Sequence, residues 1–258
     1  MRLKQFFELV DIQARMSLKA EASKLYLSYL WWILEPILYV LVFYFVFDVV
    51  LNNGRADFLL FLMCGKIPLL WFTKSVNSGS NSLVQNKGLI AQLDVPKTLF
   101  PYITLQEALY KQWAVFLVLF GMVILYGHNP TLNWLWLLPL IIVQYLFIAV
   151  CTLIGALLVS YVRDIRMLIQ MGTIFMLFTS GVFWDINLIK NEALKQALLI
   201  WNPMVYLIDA YRSILIRDQL YDTQHLAALT GVMAACLALM HGLYRLESKR
   251  IAARIVAS

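Results

Sequence analysis

Residues 197–215, ALLIWNPMVYLIDAYRSIL, are apolar enough to enter a membrane but are broken at Asn202-Pro203. Proline has no N–H and cannot continue the helix before it, so the stretch reads as two short helices, 186–201 and 204–216. Neither reaches the about 20 residues that cross roughly 30 Å of hydrocarbon. The reading decides the fold. If 197–215 crossed, the basic tail after residue 244 would lie on the opposite side from the basic N-terminal segment.

The rest of the chain places it in a membrane. Of its 258 residues 62% are hydrophobic and 14% charged, whereas a soluble domain carries about 25% charged residues. Runs long enough to span lie at about 30–51, 58–76, 102–126, 134–160, 167–184 and 226–244, the second interrupted by Gly65-Lys66 and Pro68. With six spans and the N-terminus inside, 14 Lys and Arg fall in inside segments and 5 in outside ones. Inside loops carry the excess of Lys and Arg, so both termini are expected to be cytoplasmic. The broken pair then enters the membrane from the outside and returns, or lies along its outer surface. The expected fold is an all-α integral membrane protein in one transmembrane domain, 1–258. It comprises an N-terminal amphipathic segment (1–28), spans one to five (30–184), the broken pair (186–216), the sixth span (226–244) and a cytoplasmic tail (245–258).

Two further segments stand out. Residues 1–28 carry charge throughout and lack the apolar core of a cleavable signal peptide. Leu3, Phe6, Phe7 and Val10 recur at helical spacing, which describes a helix lying at the membrane surface, or else a polar leader that sets orientation. Residues 77–101 hold small polar side chains, a short amphipathic piece around 83–93, and Pro96 and Pro101 as stops. That length can carry a helix that docks on a cytoplasmic partner. At the break itself, freed backbone groups facing lipid would cost several kcal/mol each. Protein or a water-filled cavity must cover them, so the broken pair reads as a gate or as a cap on the bundle.

Several chemistries have no foothold. The chain has no G-x-x-x-x-G-K-[ST] phosphate loop and no serine elbow. A membrane glycosyltransferase or lipid-modifying enzyme would need a catalytic acid or metal cluster, which the sequence does not offer. The three Cys and three His are scattered without metal-ligand spacing, and no disulfide framework is expected. An ion-coupled transporter would use a relay of buried acids and usually a repeat. Here Glu35 and Asp48 sit at span ends and read as interfacial, while Glu107 lies four residues before Lys111, the spacing of an ion pair on one helix face. The net charge of +6 is the orientation signal itself and requires no nucleic acid. Aromatic side chains are plentiful. Trp32, Tyr39 and Phe43 share one face of the first span, and Phe175 and Phe178 share a face of the fifth, with Phe183 and Trp184 at its outer end. Such rings stack on sugar faces, or serve as helix packing and interfacial belts.

The order of an amphipathic N-terminal helix, YLWWILEPIL (29–38), DVPKTLFPYITLQEAL (94–109), YVRDIRMLIQ (161–170) and WNPMVYLIDAYRSIL (201–215) resembles the membrane subunits of ABC-2-type exporters. Within these it looks most like the polysaccharide export permeases of bacterial O-antigen and capsule systems. The resemblance implies a homodimeric permease, not an enzyme, in the bacterial inner membrane, working with a separate cytoplasmic ABC ATPase dimer that binds ATP and Mg. It implies a lipid-linked glycan as substrate. Residues 3–22 and 79–97 would engage the ATPase, with Asn86, Lys87, Arg163 and Asp164 in coupling. Residues 186–216 would be the outer gate helices, with Trp201, Asn202, Pro203 and Tyr206 around the break, and the aromatic faces would line the channel. Teichoic-acid exporters share this architecture, and drug or small-lipid exporters share its outline.

Overall fold

Helix α3 organises the bundle, and small side chains explain how. In this computed structural model, which describes residues 3–24, 28–50 and 57–257, α3 (Phe58–Gln85) packs against α5 (Leu99–Leu125), α6 (Leu137–Tyr161) and α7 (Ile165–Thr179). A Cβ on Gly79 would stand 2.2 Å from Thr152 Cγ2, and one on Gly155 would stand 2.0 Å from Ser80 Oγ. The backbones of α3 and α6 therefore approach closely, as small residues permit between helices in lipid, where van der Waals packing drives association. Asn77 of α3 donates to Thr173 Oγ1 of α7 at 3.1 Å.

The remaining helices are α1 (Leu3–Lys24), α2 (Ser28–Tyr44), α4 (Lys87–Gln92), α8 (Glu192–Trp201), α9 (Pro203–Leu215) and α10 (Thr223–Ala257). A π-helical turn, Phe45–Val50, continues α2, and 3-10 turns cover Leu132–Trp136 and Ile186–Leu188. No strand occurs among the described residues. The all-helical expectation holds. The amphipathic N-terminal segment is α1, which buries Val10, Ala14 and Leu18 against α5.

Among the described residues four helices are long and apolar enough to cross a membrane: Phe58–Gln85, Leu99–Leu125, Leu132–Tyr161 and Thr223–Ile255. The other two expected spans are shorter. The first run forms α2, 17 residues, with its π-helical turn of 6, and the end of that run at residue 51 lies outside the described residues. The fifth run stops at Thr179 rather than 184, leaving 15 helical residues, about 22 Å. Gly181 adopts φ +78° there, a left-handed conformation that ends helices.

Both termini sit at one end of the bundle. Phe6 and Phe7 of α1 line the same cavity as Arg245 and Ser248 of α10. At this end Ile90 of α4 is buried with Leu153 and with Tyr244, Ile251 and Ile255 of α10, and Tyr161 donates to Glu247 at 2.9 Å.

Candidate gate, aromatic path and coupling face

The broken segment is short by construction. Helix α8 has 10 residues and α9 has 13, about 15 and 20 Å, so neither crosses. Asn202 caps α9, its side chain accepting from Met204 N, and Pro203 occupies the first turn, where its missing N–H is harmless. Asn202 Nδ2 also donates to Ser180 Oγ at 3.1 Å and Thr179 O at 3.3 Å. The break is thereby pinned to the end of α7, and protein satisfies the polar groups there.

The two halves differ in what holds them. Every residue of α9 except Pro203 and Asp209 is buried, whereas α8 buries none. Tyr211 donates to Gln144 Oε1 at 2.7 Å, and Gln144 donates to Pro68 O at 2.9 Å, linking α9 through α6 to α3. Arg212, 3% exposed, holds the turn after α7. Its Nη1 donates to Gly181 O at 2.7 Å, and its Nη2 to Val182 O at 2.9 Å and Phe61 O at 3.1 Å. The guanidinium lies 3.4 Å from the centre of the Phe61 ring, and a Cβ on Gly65 would stand 2.7 Å from Nη2. This arginine, one residue after Tyr211, carries a weak signal in the sequence, namely a charge inside an otherwise apolar periodic face.

Of the residues expected at the gate, Trp201 is 85% exposed at the end of α8, and Asn202 and Pro203 form the capped joint. Tyr206 lies elsewhere. It is buried, donates to Asp222 O at 2.6 Å and stacks 4.3 Å from the His225 ring, so it fastens α9 to the start of α10. Beside the joint, Asp209 pairs with Arg217 at 2.5 Å and accepts from Asn187 Nδ2 at 3.0 Å.

The aromatic candidates divide into two groups. Phe175 and Phe178 are 67% and 60% exposed on α7, in one stripe with Met167, Met171 and Ile174. Phe178 meets Phe183 at 5.9 Å, and Trp184 Nε1 donates to Phe178 O at 2.8 Å. Phe183 and Trp184 go on to line a cavity of about 510 Å3 with Phe58, Asp185, Leu188 and Leu198. These four residues make one aromatic strip from α7 to α8. Trp32 and Tyr39 belong to α2, where Lys111 Nζ stands 5.2 Å from the Trp32 ring and Lys66 Nζ 5.4 Å from the Tyr39 ring. The side chain of Phe43 lies outside the described residues.

At the terminus-bearing end, Asn86 joins α3 to α4, its Nδ2 donating to Ser82 O at 2.8 Å, and Lys87 begins α4 half-buried. Arg163 and Asp164 form the exposed turn between α6 and α7. A cavity of about 580 Å3 opens among α1, residues 94–98 and α10, where Tyr102 OH meets His241 Nε2 at 3.3 Å. The four sequence candidates thus reach one end of the molecule from two different connections. One expected pairing is overturned. Lys111 bonds Glu21 of α1 at 2.6 Å instead of Glu107, because α1 lies across α5 and offers a carboxylate that local spacing could not reveal. Likewise Glu35, read as interfacial, pairs with Lys74 of α3 at 2.5 Å.

Comparison with known proteins agrees with this arrangement. Residues 14–216 match the ABC-2 type transporter family. Similar curated proteins include the O-antigen export system permease protein RfbA of Myxococcus xanthus, 26% identical over 91% of this chain and 90% of its own length. RfbA of Klebsiella pneumoniae is 23% identical over 90% of each chain. With a helical bundle, a broken helix pair before the last span and a match over most of its length, the chain belongs to the ABC-2 type transporter family and is a membrane permease.

Proposed function

We propose that the chain is the permease subunit of an ATP-driven exporter that moves a lipid-linked polysaccharide across a bacterial inner membrane. The observation that carries the reading is similarity to O-antigen export permeases over nine-tenths of both lengths. In this reading six segments cross, with α2 and α7 completing the four long helices, and both termini face the cytoplasm. Two copies assemble, and the exposed α7 stripe with Phe175 and Phe178 is the face on which they build the path. A separate ABC ATPase dimer binds ATP and Mg and docks on α1, α4 and the 162–164 turn.

The geometry supports a division of labour. Helix α9 is anchored to α3, α6 and the turn after α7, so it moves with the bundle. Helix α8 has no buried residue and is joined to α9 through one capped residue, so it is the moving part of the outer gate. ATP-driven closure of the partner displaces α1 and α4, and α10 and α6 carry that displacement inward through Tyr244, whose hydroxyl donates to Leu153 O at 2.9 Å. Stacking on Phe178, Phe183 and Trp184 gives sugar rings a path out.

A clean deletion complemented in trans tests this, with surface glycan and intracellular lipid-linked glycan both quantified. Loss from the surface with accumulation inside is expected. Unchanged glycan in both compartments would refute the substrate class and point to a drug or small-lipid exporter. Arg163→Ala is expected to block export while the ATPase still co-purifies; unchanged export would remove the coupling role.

A further inference from the structure

A cavity of about 380 Å3 lies among α1, α2, α3 and α5, toward the end that carries the termini. Its volume falls within the about 300–1,000 Å3 of ligand sites. Trp31, Trp32 and Trp71 supply aromatic walls. The Lys74–Glu35 and Lys111–Glu21 pairs line it, and Glu107 adds a third carboxylate. Ser75 and Gln112 also line it, and they are 0% and 6% exposed. Ser75 Oγ and Gln112 Nε2 have no hydrogen-bond partner among the described residues. Buried polar groups are almost always paired, so these two mark space for a polar guest.

Charge decides the class of guest. Two ammonium groups face three carboxylates, so the cavity has no excess positive charge whether Glu107 is ionised or protonated. A phosphate or diphosphate finds no net attraction there. An uncharged polyhydroxylated ring does. Indole faces cover its C–H surfaces, and the carboxylates, the Ser75 hydroxyl and the Gln112 amide exchange hydrogen bonds with its hydroxyls. Trp31 is 49% exposed, which leaves the α2 wall open to the lipid side.

We propose that this cavity binds a neutral sugar unit of a glycolipid admitted from the bilayer, with Gln112 and Ser75 hydrogen-bonding its hydroxyls between the Trp32 and Trp71 rings. The proposal rests on the exporter reading and names where its substrate is first held. Lipid-linked glycan extracted from cells lacking this chain is the probe. Mild acid hydrolysis of the same extract supplies the freed glycan and the bare lipid. Tryptophan fluorescence of the full chain in phospholipid nanodiscs reads binding.

Intact glycolipid and freed glycan are expected to change the signal saturably, and bare lipid is not. Gln112→Leu is expected to weaken glycan binding about tenfold, the loss of one well-placed hydrogen bond, without lowering the melting temperature, since it removes an unpaired amide. Ser75→Ala repeats the test with a smaller change should the Leu variant fail to fold. Equal binding of bare lipid and intact glycolipid, unaffected by Gln112→Leu, would overturn the sugar assignment. Normal export in the Ser75→Ala, Gln112→Leu double variant, with export lost on deletion, would overturn the cavity and leave the exporter reading standing. A deletion strain that accumulates no lipid-linked glycan would overturn both.

Discussion

Replacing Arg212 with Met removes the group that ties α9 to the turn after α7. Three carbonyls, of Phe61, Gly181 and Val182, lose donors at 3.1, 2.7 and 2.9 Å. Phe61 O lies inside α3 and keeps its helical bond from Gly65 N–H; an unpaired buried acceptor costs about 1–3 kcal/mol, so the other two cost about 2–6 kcal/mol. Removing the buried charge returns part of this as relieved desolvation, and the net loss expected is about 2–4 kcal/mol. For a chain of this length that lowers the melting temperature by about 10 °C, measured by intrinsic fluorescence of the purified protein in detergent. Arg212→Lys keeps the charge but cannot fork between the two sides, so it should fall between Met and wild type. Gly65→Ala places a Cβ 2.7 Å from Nη2 and should cost less in the Arg212→Met background than alone, the coupling expected of neighbours. An Arg212→Met protein that melts with wild type would refute the clamp and show that water serves those carbonyls.

Gly155→Ala is expected to destabilise by about 1–3 kcal/mol through overpacking of α3 on α6, whereas Gly172→Ala, with open space at its Cβ, leaves monomer stability intact; thermal melts of both decide it. Asn202→Ala should cost about 0.5–2 kcal/mol as a lost cap, and amide exchange should rise in 203–206 before it rises in the rest of α9. Pro203→Ala, which keeps the cap, is expected to alter export while the ATPase still co-purifies; loss of the complex would make the segment structural. Hydrogen bonds from Thr131 and Asn133 hold the Asp218 carboxyl below the usual carboxylate range. The tie from Thr131 and Asn133 to Asp218 is therefore present above the unfolded pKa of about 4 and is lost as pH falls through the lower folded value. Protection of amides 131–136, relative to their intrinsic exchange rates, should fall at acid pH, and Asp218→Asn should remove that pH dependence.

How much was legible in the sequence differs by the range of the interaction. The break at Asn202-Pro203 was legible because proline chemistry is local, and Asn202 at the cap position follows from the same few residues. The amphipathic N-terminal helix was legible from the spacing of Leu3, Phe6, Phe7 and Val10. The end of α7 was not. Its apolar run continues to Trp184, and only the left-handed Gly181 beneath Arg212 stops the helix at Thr179. The contacts of Tyr206, expected at the gate, were not legible either, because a helical face decides burial and Asp222 and His225 meet it from the start of α10. The expected Glu107–Lys111 pair failed for a related reason. Glu107 and Lys111 have ideal helical spacing, but Glu21 arrives from a helix 90 residues away in sequence.

Composition and the local chemistry of Asn202-Pro203 by themselves determined a helical membrane protein with a broken pair of short helices before its last long helix. These follow from transfer of side chains into hydrocarbon and from the geometry of a single helix, which need no knowledge of neighbours. Tertiary structure alone decided that α9 is buried and α8 is not, that Arg212 is a buried clamp, and that Ser75 and Gln112 line a cavity with three indoles. Each of those depends on which helices meet. In lipid, meeting is governed by close packing of small residues such as Gly79 and Gly155 and by hydrogen bonds across helices, and neither carries a period that a single sequence displays.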